Sequence, residues 1–353
     1  MEINNELTLK LDSIVLKKYS GDVLLIGEIG QNHNGDIKIA KKLIDLCKNF
    51  GVKLVKFQKR DIKGEFTKEA FEKVYDNVNS FGKTYGEHRN FLELNEEQHL
   101  ELKQYANERD LIYFCTPCDI ESVKMLERIK CPFYKIASRD ITNIPLLEYI
   151  GKLNKTVIIS TGMAEMEDID LALKALNLPT NKVIIMQCTS EYPCPSENAN
   201  LNVIKTFNEK YKNIIGFSDH TDGVFTALCS VFCGAKIIEK HITLSRSMRG
   251  SDHAGSLEPQ GLQKLSKYIK NVPIVLGSYK KELKNNILYS KNKLMKSLTS
   301  KISIKKGEII TQEMLCLKCP GNGILYKNKD KIIGKKANID IDKDKTLKLD
   351  WFN

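Results

Sequence analysis

Between residues 24 and 241 the chain carries eight short runs of Val, Ile, Leu and Phe, each ending in a polar or otherwise reactive residue. They fall at 24–28, 53–58, 111–116, 133–137, 156–160, 183–188, 214–218 and 236–241. Runs this short, apolar throughout and rich in β-branched residues, read as strands buried on both faces. The stretches between them, such as 37–49, 96–108, 120–129 and 166–176, space their apolar residues three and four apart and read as helices. Eight strand–helix units within about 250 residues imply an α/β fold, a closed (β/α)8 TIM barrel, expected over residues 1–277. An open doubly wound sheet would need fewer strands and a GxGxxG turn after the first; this chain has GEIGQNHNG at 27–35.

A barrel gathers its chemistry at the C-terminal ends of its strands. Glu28 stands at the first such end, Lys56 and Gln58 at the second, Thr116 at the third, and Lys135, Ser138 and Asp140 at the fourth. Ser160, Ser190, Ser218 with His220, and Glu239 with His241 continue the ring. A polar group ending an apolar strand is costly unless paired or used, so eight in matching positions point to an active-site mouth. His220 and His241 end neighbouring strands and could share a divalent metal ion; two unrelated polar histidines are the other reading. Glu28 lies across the same mouth as a third ligand or a proton donor, and Asp252 follows the last strand. Lys56 and Lys135, with the serines nearby, suit a ligand carrying phosphate and carboxylate. A Schiff-base lysine is the alternative use of either. The long connection 59–95, with Lys83, His88 and Arg89, is expected on the same face.

Charge narrows the partners. Lys+Arg 55 against Asp+Glu 44 gives +11, yet residues 279–353 hold 18 lysines and 8 acidic residues, or +10 of that total. The basic character therefore belongs to a terminal module, which lacks the interleaved aromatics of a base-stacking surface. No nucleic-acid partner is expected. No apolar run of about 18 residues suggests a membrane helix, and the start MEINNELTLKLDS shows no basic-then-apolar signal, so a cytoplasmic protein is expected. Ten scattered cysteines read as reduced thiols. Cys115 and Cys118 lie in a different expected domain from Cys316 and Cys319, which argues against a four-thiolate zinc site. Residues 278–296 read as a lysine-rich linker, and 297–353 as a small β-rich module with strands at 301–304, 308–310 and 345–349.

In order along the chain, GEIGQNHNG (27–35), VKFQ (55–58), FYKIASRD (133–140), STGM (160–163), QCTSEYP (187–193), GFSDHT (216–221), IIEKHITL (237–244) and RGSDHAGSLEP (249–259) resemble the sialic acid synthase family. The tail, with KISIKKGEIIT and KCPGNGI, is similar to that family's antifreeze-like (SAF) module. The resemblance implies condensation of phosphoenolpyruvate with N-acetylmannosamine or its 6-phosphate, or with another hexosamine leading to a legionaminate- or pseudaminate-type product. It implies a divalent cofactor at His220 and His241, manganese first, with magnesium or cobalt as substitutes. Glu28 would handle a proton and Asp252 orient a hydroxyl or water. Lys56, Lys135, Ser138, Ser160 and Ser218 would hold phosphoenolpyruvate, with Gln58, Thr116, Asp140, Ser190 and Tyr192 lining the pocket. A sugar 6-phosphate would be met by Lys83, His88 and Arg89. The family also implies a homodimer in which each module covers the partner's barrel mouth. One departure stands out: the module reads Lys318-Cys319-Pro320-Gly321 where the family typically has Lys-Arg-Pro-Gly. A non-catalytic carbohydrate-binding barrel is the rival class; retention of Glu28, Lys56, Lys135, His220 and His241 together argues against it.

Overall fold

The computed structural model describes residues 7–353; the start of the stretch read above for a signal lies outside the described residues. The chain opens with an antiparallel hairpin, β1 (Thr8–Leu11) and β2 (Ile14–Lys17), which the sequence reading did not anticipate. Its two-residue turn is started by Asp12 in the left-handed region, φ 54°, as tight hairpins require.

Eight parallel strands then close a barrel: β3 (Leu24–Gly30), β4 (Leu54–Lys59), β5 (Ile112–Pro117), β6 (Tyr134–Ile136), β7 (Val157–Ser160), β8 (Val183–Cys188), β9 (Ile214–Asp219) and β10 (Ile237–His241). β10 pairs with both β9 and β3, setting His241 opposite Glu28 and Glu239 opposite Ser218. All eight expected strands are present, with ends shifted by at most two residues, so the (β/α)8 expectation holds. Six of the eight strands are buried along their whole length; β3 is intermediate only at Leu24 and β4 only at Gln58 and Lys59, which explains why they read as unbroken apolar runs. The helix Ile37–Asn49 shows the complementary pattern. Asp36 caps its start by accepting from the Lys38 N–H, and Ala40, Leu43, Ile44 and Cys47 turn inward. Gly27 lets that helix approach: a Cβ there would stand 2.6 Å from Cys47 Sγ.

The hairpin covers the N-terminal mouth. Leu9, Leu11 and Leu16 join the barrel core. Thr156, just before β7, donates to Lys10 O at 3.0 Å, and Lys18 Nζ donates to Tyr211 O at 3.0 Å, just ahead of β9. Polar chemistry is left to the opposite mouth. The 59–95 connection leading there is not a bare loop; it contains the short helices Ile62–Glu65, Lys68–Glu72 and Tyr85–Leu92, the last closed by a Thr84/Glu87 capping box.

The chain divides into two compact units, Met1–Gly277 and Ser278–Asn353. The second has its own small apolar core, including Leu298, Ile304, Ile324, Ile332 and Leu347. Its regular strands are β11 (Ser297–Ser300) and β12 (Leu315–Lys318), an antiparallel pair. The strands expected at 301–304, 308–310 and 345–349 are corrected: they contribute isolated bridges, as Ile304 to Ile341 and Thr346 to Thr299. Their backbone pairings are few, as Leu347 N–H to Leu298 O and Ile310 N–H to Lys335 O, and do not run on into a regular ladder. Within 278–296 the segment Leu288–Leu294 is helical. All ten cysteines are free thiols. Among the described residues no helix is long and apolar enough to cross a membrane.

Candidate active site at the C-terminal mouth of the barrel

Strand alternation places the inward residues. On β4, Lys56 and Gln58 point to the mouth, and Arg60 continues the same two-residue period beyond the strand. They share a cavity of about 130 Å³ with Glu28 from β3, Lys135 from β6, and Glu239 and His241 from β10.

Two lysines and two glutamates form its floor. Glu239 stands between the lysines, its Oε1 3.5 Å from Lys56 Nζ and its Oε2 3.2 Å from Lys135 Nζ. Glu28 Oε2 lies 2.9 Å from Lys56 Nζ, and Glu28 Oε1 accepts from Gln58 Nε2 at 2.8 Å. Lys56 also donates to Thr116 Oγ1 at 3.1 Å. All four charged side chains are buried, which is tolerated because they are mutually paired. Burial works against the Glu239 carboxylate, but Lys135 and Lys56 overcome it and hold its pKa down to about 2. Burial likewise opposes the Lys56 ammonium, yet Glu239 and Glu28 raise its pKa; at Lys135 burial prevails and lowers it.

Serine hydroxyls rim this floor. Ser218 Oγ donates to Glu239 Oε1 at 3.3 Å, and Ser138 Oγ accepts from the Gly162 N–H at 2.9 Å. Ser160 Oγ is buried without a hydrogen-bond partner. An orphaned hydroxyl beside a buried ammonium is a receptor for an oxyanion.

The two histidines face the cavity from the neighbouring strands β9 and β10, ring centroids 5.6 Å apart. Nδ1 of His220 is 2.7 Å from Thr189 O. A carbonyl only accepts, so Nδ1 carries the proton and Nε2 is the free ring nitrogen. His241 Nδ1 is buried without a hydrogen-bond partner, 3.8 Å from Asp252 Oδ2. Burial, and secondarily His241, push the His220 pKa down to about 3, so its ring is neutral. Tyr192 packs 4.0 Å from the His220 ring and 5.8 Å from that of His241. Two imidazoles with unengaged ring nitrogens fit a divalent ion whose other positions would be filled by water or substrate. Among the described residues no group of three or more His, Cys, Asp or Glu converges on one ion. Glu28 as a third ligand is corrected accordingly, since both its oxygens are engaged by Lys56 and Gln58.

Ser190 and Tyr192 line the cavity as well, and Asp252 lines an adjoining recess behind the histidines. Asp140 does not reach the cavity; its Oδ2 lies 3.4 Å from Arg139 Nε. The three loop residues also stand apart. Lys83 is exposed. His88 is buried among Tyr75, Phe81 and Tyr85, with Nδ1 accepting from the Phe81 N–H. Arg89 donates to Gln31 and to Tyr85 OH. Sequence reasoning passed over Arg60, Glu65 and Arg139, and left Glu239 without a role. The alternation Lys56, Gln58, Arg60 was a usable signal for the first of these.

An ion-paired lysine floor beside two imidazoles suits an enzyme that grips a small anion. The profile of the NeuB family matches residues 43–281, and the chain belongs to that family of phosphoenolpyruvate-condensing synthases. It is 36% identical over 326 residues to N-acetylneuraminate-9-phosphate synthase of Homo sapiens, covering 92% of this chain and 90% of that protein. It is also 36% identical over 329 residues to N,N'-diacetyllegionaminic acid synthase of Campylobacter jejuni, with 92% and 98% covered. A solved N-acetylneuraminic acid synthetase from Leptospira borgpetersenii, in complex with citrate, superimposes with a TM-score of 0.69 at 31% identity over 81% of this chain and 95% of that one.

Proposed function

We propose that the protein is a nonulosonic acid synthase that joins phosphoenolpyruvate to the aldehyde carbon of an open-chain N-acetylhexosamine and releases phosphate. The observation that carries this reading is the Lys56–Glu239–Lys135 bridge beside the unpartnered Ser160 hydroxyl, within the same cavity as His220 and His241. Lys56, Lys135, Ser138, Ser160, Ser190 and Ser218 receive the phosphate and carboxylate of phosphoenolpyruvate. Glu239 keeps the two ammonium groups charged and close before the anion arrives.

His220 and His241 would hold a divalent ion, manganese in the first instance, which supplies Lewis acidity at the aldehyde oxygen. C3 of phosphoenolpyruvate bonds to the aldehyde carbon, whose oxygen takes a proton. Water then adds to C2, and cleavage of the bond from C2 to the phosphate oxygen releases phosphate. Glu28, oriented by Lys56 and Gln58, holds or moves the proton at its Oε2. Asp252, 3.8 Å from His241, orients the new hydroxyl or the water. Tyr192 and Thr116 bound the sugar. The unit Ser278–Asn353 serves as an antifreeze-like cover for a partner subunit's mouth in a homodimer.

The two relatives described are equally identical to this chain and carry different sugars in their names, so identity alone does not choose the acceptor. A phosphate-release assay with phosphoenolpyruvate, manganese and a panel of hexosamines and their 6-phosphates tests the reading. Release that depends on both reactants supports it. Release with none of the panel sinks it.

A further inference from the structure

Two arginines line a part of the cavity that this chemistry leaves idle. Arg60 follows β4 and Arg139 follows Ser138 after β6. Between them lies a carboxylate of the chain itself, Glu65, at the end of the short helix Ile62–Glu65. Its Oε1 is 2.6 Å from Arg139 Nη1, and its Oε2 is 3.6 Å from Arg60 Nε. Arg60 is 7% exposed, and its Nε is buried with no hydrogen-bond partner, as is Glu65 Oε2. Two guanidinium forks thus converge on one carboxylate that satisfies them incompletely.

The charges on the cavity wall point the same way. Lys56, Lys135, Arg60 and Arg139 face two carboxylates, Glu28 and Glu239. Those carboxylates pair with the lysines. The arginines are balanced by Glu65 and Asp140, neither of which lines the cavity. A planar guanidinium binds phosphate with the geometry it uses for carboxylate, and a phosphate monoester brings up to twice the charge and three acceptor oxygens.

We propose that Arg60 and Arg139 form a subsite for a phosphate monoester on the acceptor sugar, and that Glu65 is a built-in stand-in which that phosphate displaces. This rests on the synthase reading and specifies its acceptor as an N-acetylhexosamine 6-phosphate. Glu65 sits on a four-residue helix outside the barrel, so its withdrawal disturbs no strand. The subsite replaces Lys83 and His88, whose side chains are exposed and internally engaged respectively. It also abuts the reacting groups: Arg60 Nη2 donates to Gln58 Oε1 at 2.7 Å, and Gln58 donates onward to Glu28.

The test uses the full chain with manganese, the variants Arg139→Gln, Arg139→Lys and Glu65→Gln, and N-acetylmannosamine with and without its 6-phosphate. The wild type is expected to favour the 6-phosphate in kcat/KM by about tenfold or more, the worth of a charge-assisted clamp. Arg139→Gln collapses that preference by raising KM for the phosphorylated acceptor, and Arg139→Lys falls between. Glu65→Gln moves the same KM in the opposite direction and tightens binding of inorganic phosphate in calorimetry. A merely structural cluster gives no such opposite signs. A rise in KM for phosphoenolpyruvate alone would assign the arginines to that substrate and overturn the proposal. Equal shifts for both acceptors would make the cluster a latch, with the same consequence. Should Arg139→Gln fail to fold, Arg139→Lys and Glu65→Gln carry the comparison. If the wild type releases no phosphate with any hexosamine, the synthase reading fails by itself. The calorimetric series with inorganic phosphate then still decides the subsite.

Discussion

Lys135 and Glu239 meet at 3.2 Å although β6 and β10 stand on opposite sides of the eight-strand ring. The contact spans the barrel, and Lys56 from β4 joins the same carboxylate at 3.5 Å. Long side chains fill the mouth of a small barrel in this way. One glutamate thereby holds two ammonium groups beside the hydroxyls of Ser160 and Ser218.

Removing that glutamate should cost stability as well as turnover. Glu239→Leu leaves two buried ammonium groups with Glu28 alone, and a loss of about 3–5 kcal/mol is expected. The pH dependence has a definite sign. With its pKa held at about 2, below the ordinary 4.5, Glu239 stabilises fully above pH 4.5 and loses that contribution as pH falls toward 2. In urea titrations, the stability gap between wild type and Glu239→Gln should therefore narrow below pH 4.5. A gap independent of pH would trace the effect to packing rather than to charge.

Metal dependence separates the two imidazoles from ordinary buried histidines. Chelator-treated protein should lose phosphate release and recover it with added manganese. His241→Ala should recover nothing and should bind manganese at least about tenfold more weakly by calorimetry, because one ligand of two is gone. Full turnover in metal-free protein would refute the site.

At the other mouth the expectation reverses. Leu11 is fully buried in the hairpin that covers the N-terminal strand ends. Leu11→Ala should lower stability by about 2–5 kcal/mol and leave kcat of the folded fraction unchanged, since catalytic groups of such barrels gather at the opposite face. A drop in kcat without a drop in melting temperature would contradict this division of labour.

Ending the chain at Gly277 tests the second unit. The unit Met1–Gly277 has its own core, so the truncated barrel should fold, with the circular dichroism of an α/β barrel and a cooperative melting transition. Turnover should fall sharply if the module covers a partner's mouth, because water would then reach the reacting groups. Sedimentation should report monomers in place of dimers. Undiminished turnover would remove the module from the reaction.

The strands were legible because burial on both faces writes itself as an apolar run, and the residue ending each run is read off directly. Glu28, Lys56, Lys135, His220 and His241 were therefore visible as candidates in the linear chain, and all five line one cavity. Partnership was not legible. Glu239 and Lys135 are 104 residues apart, and only closure of the ring brings them into contact. Glu65 reaches Arg60 and Arg139 only because the excursion after β4 folds back over the mouth. His88 resembled a binding residue until its ring was found among Tyr75, Phe81 and Tyr85. Local periodicity reports which face of an element a residue occupies. Which charge neutralises which depends on distances across the barrel, and those are set by closure and by the packing of the loops above it.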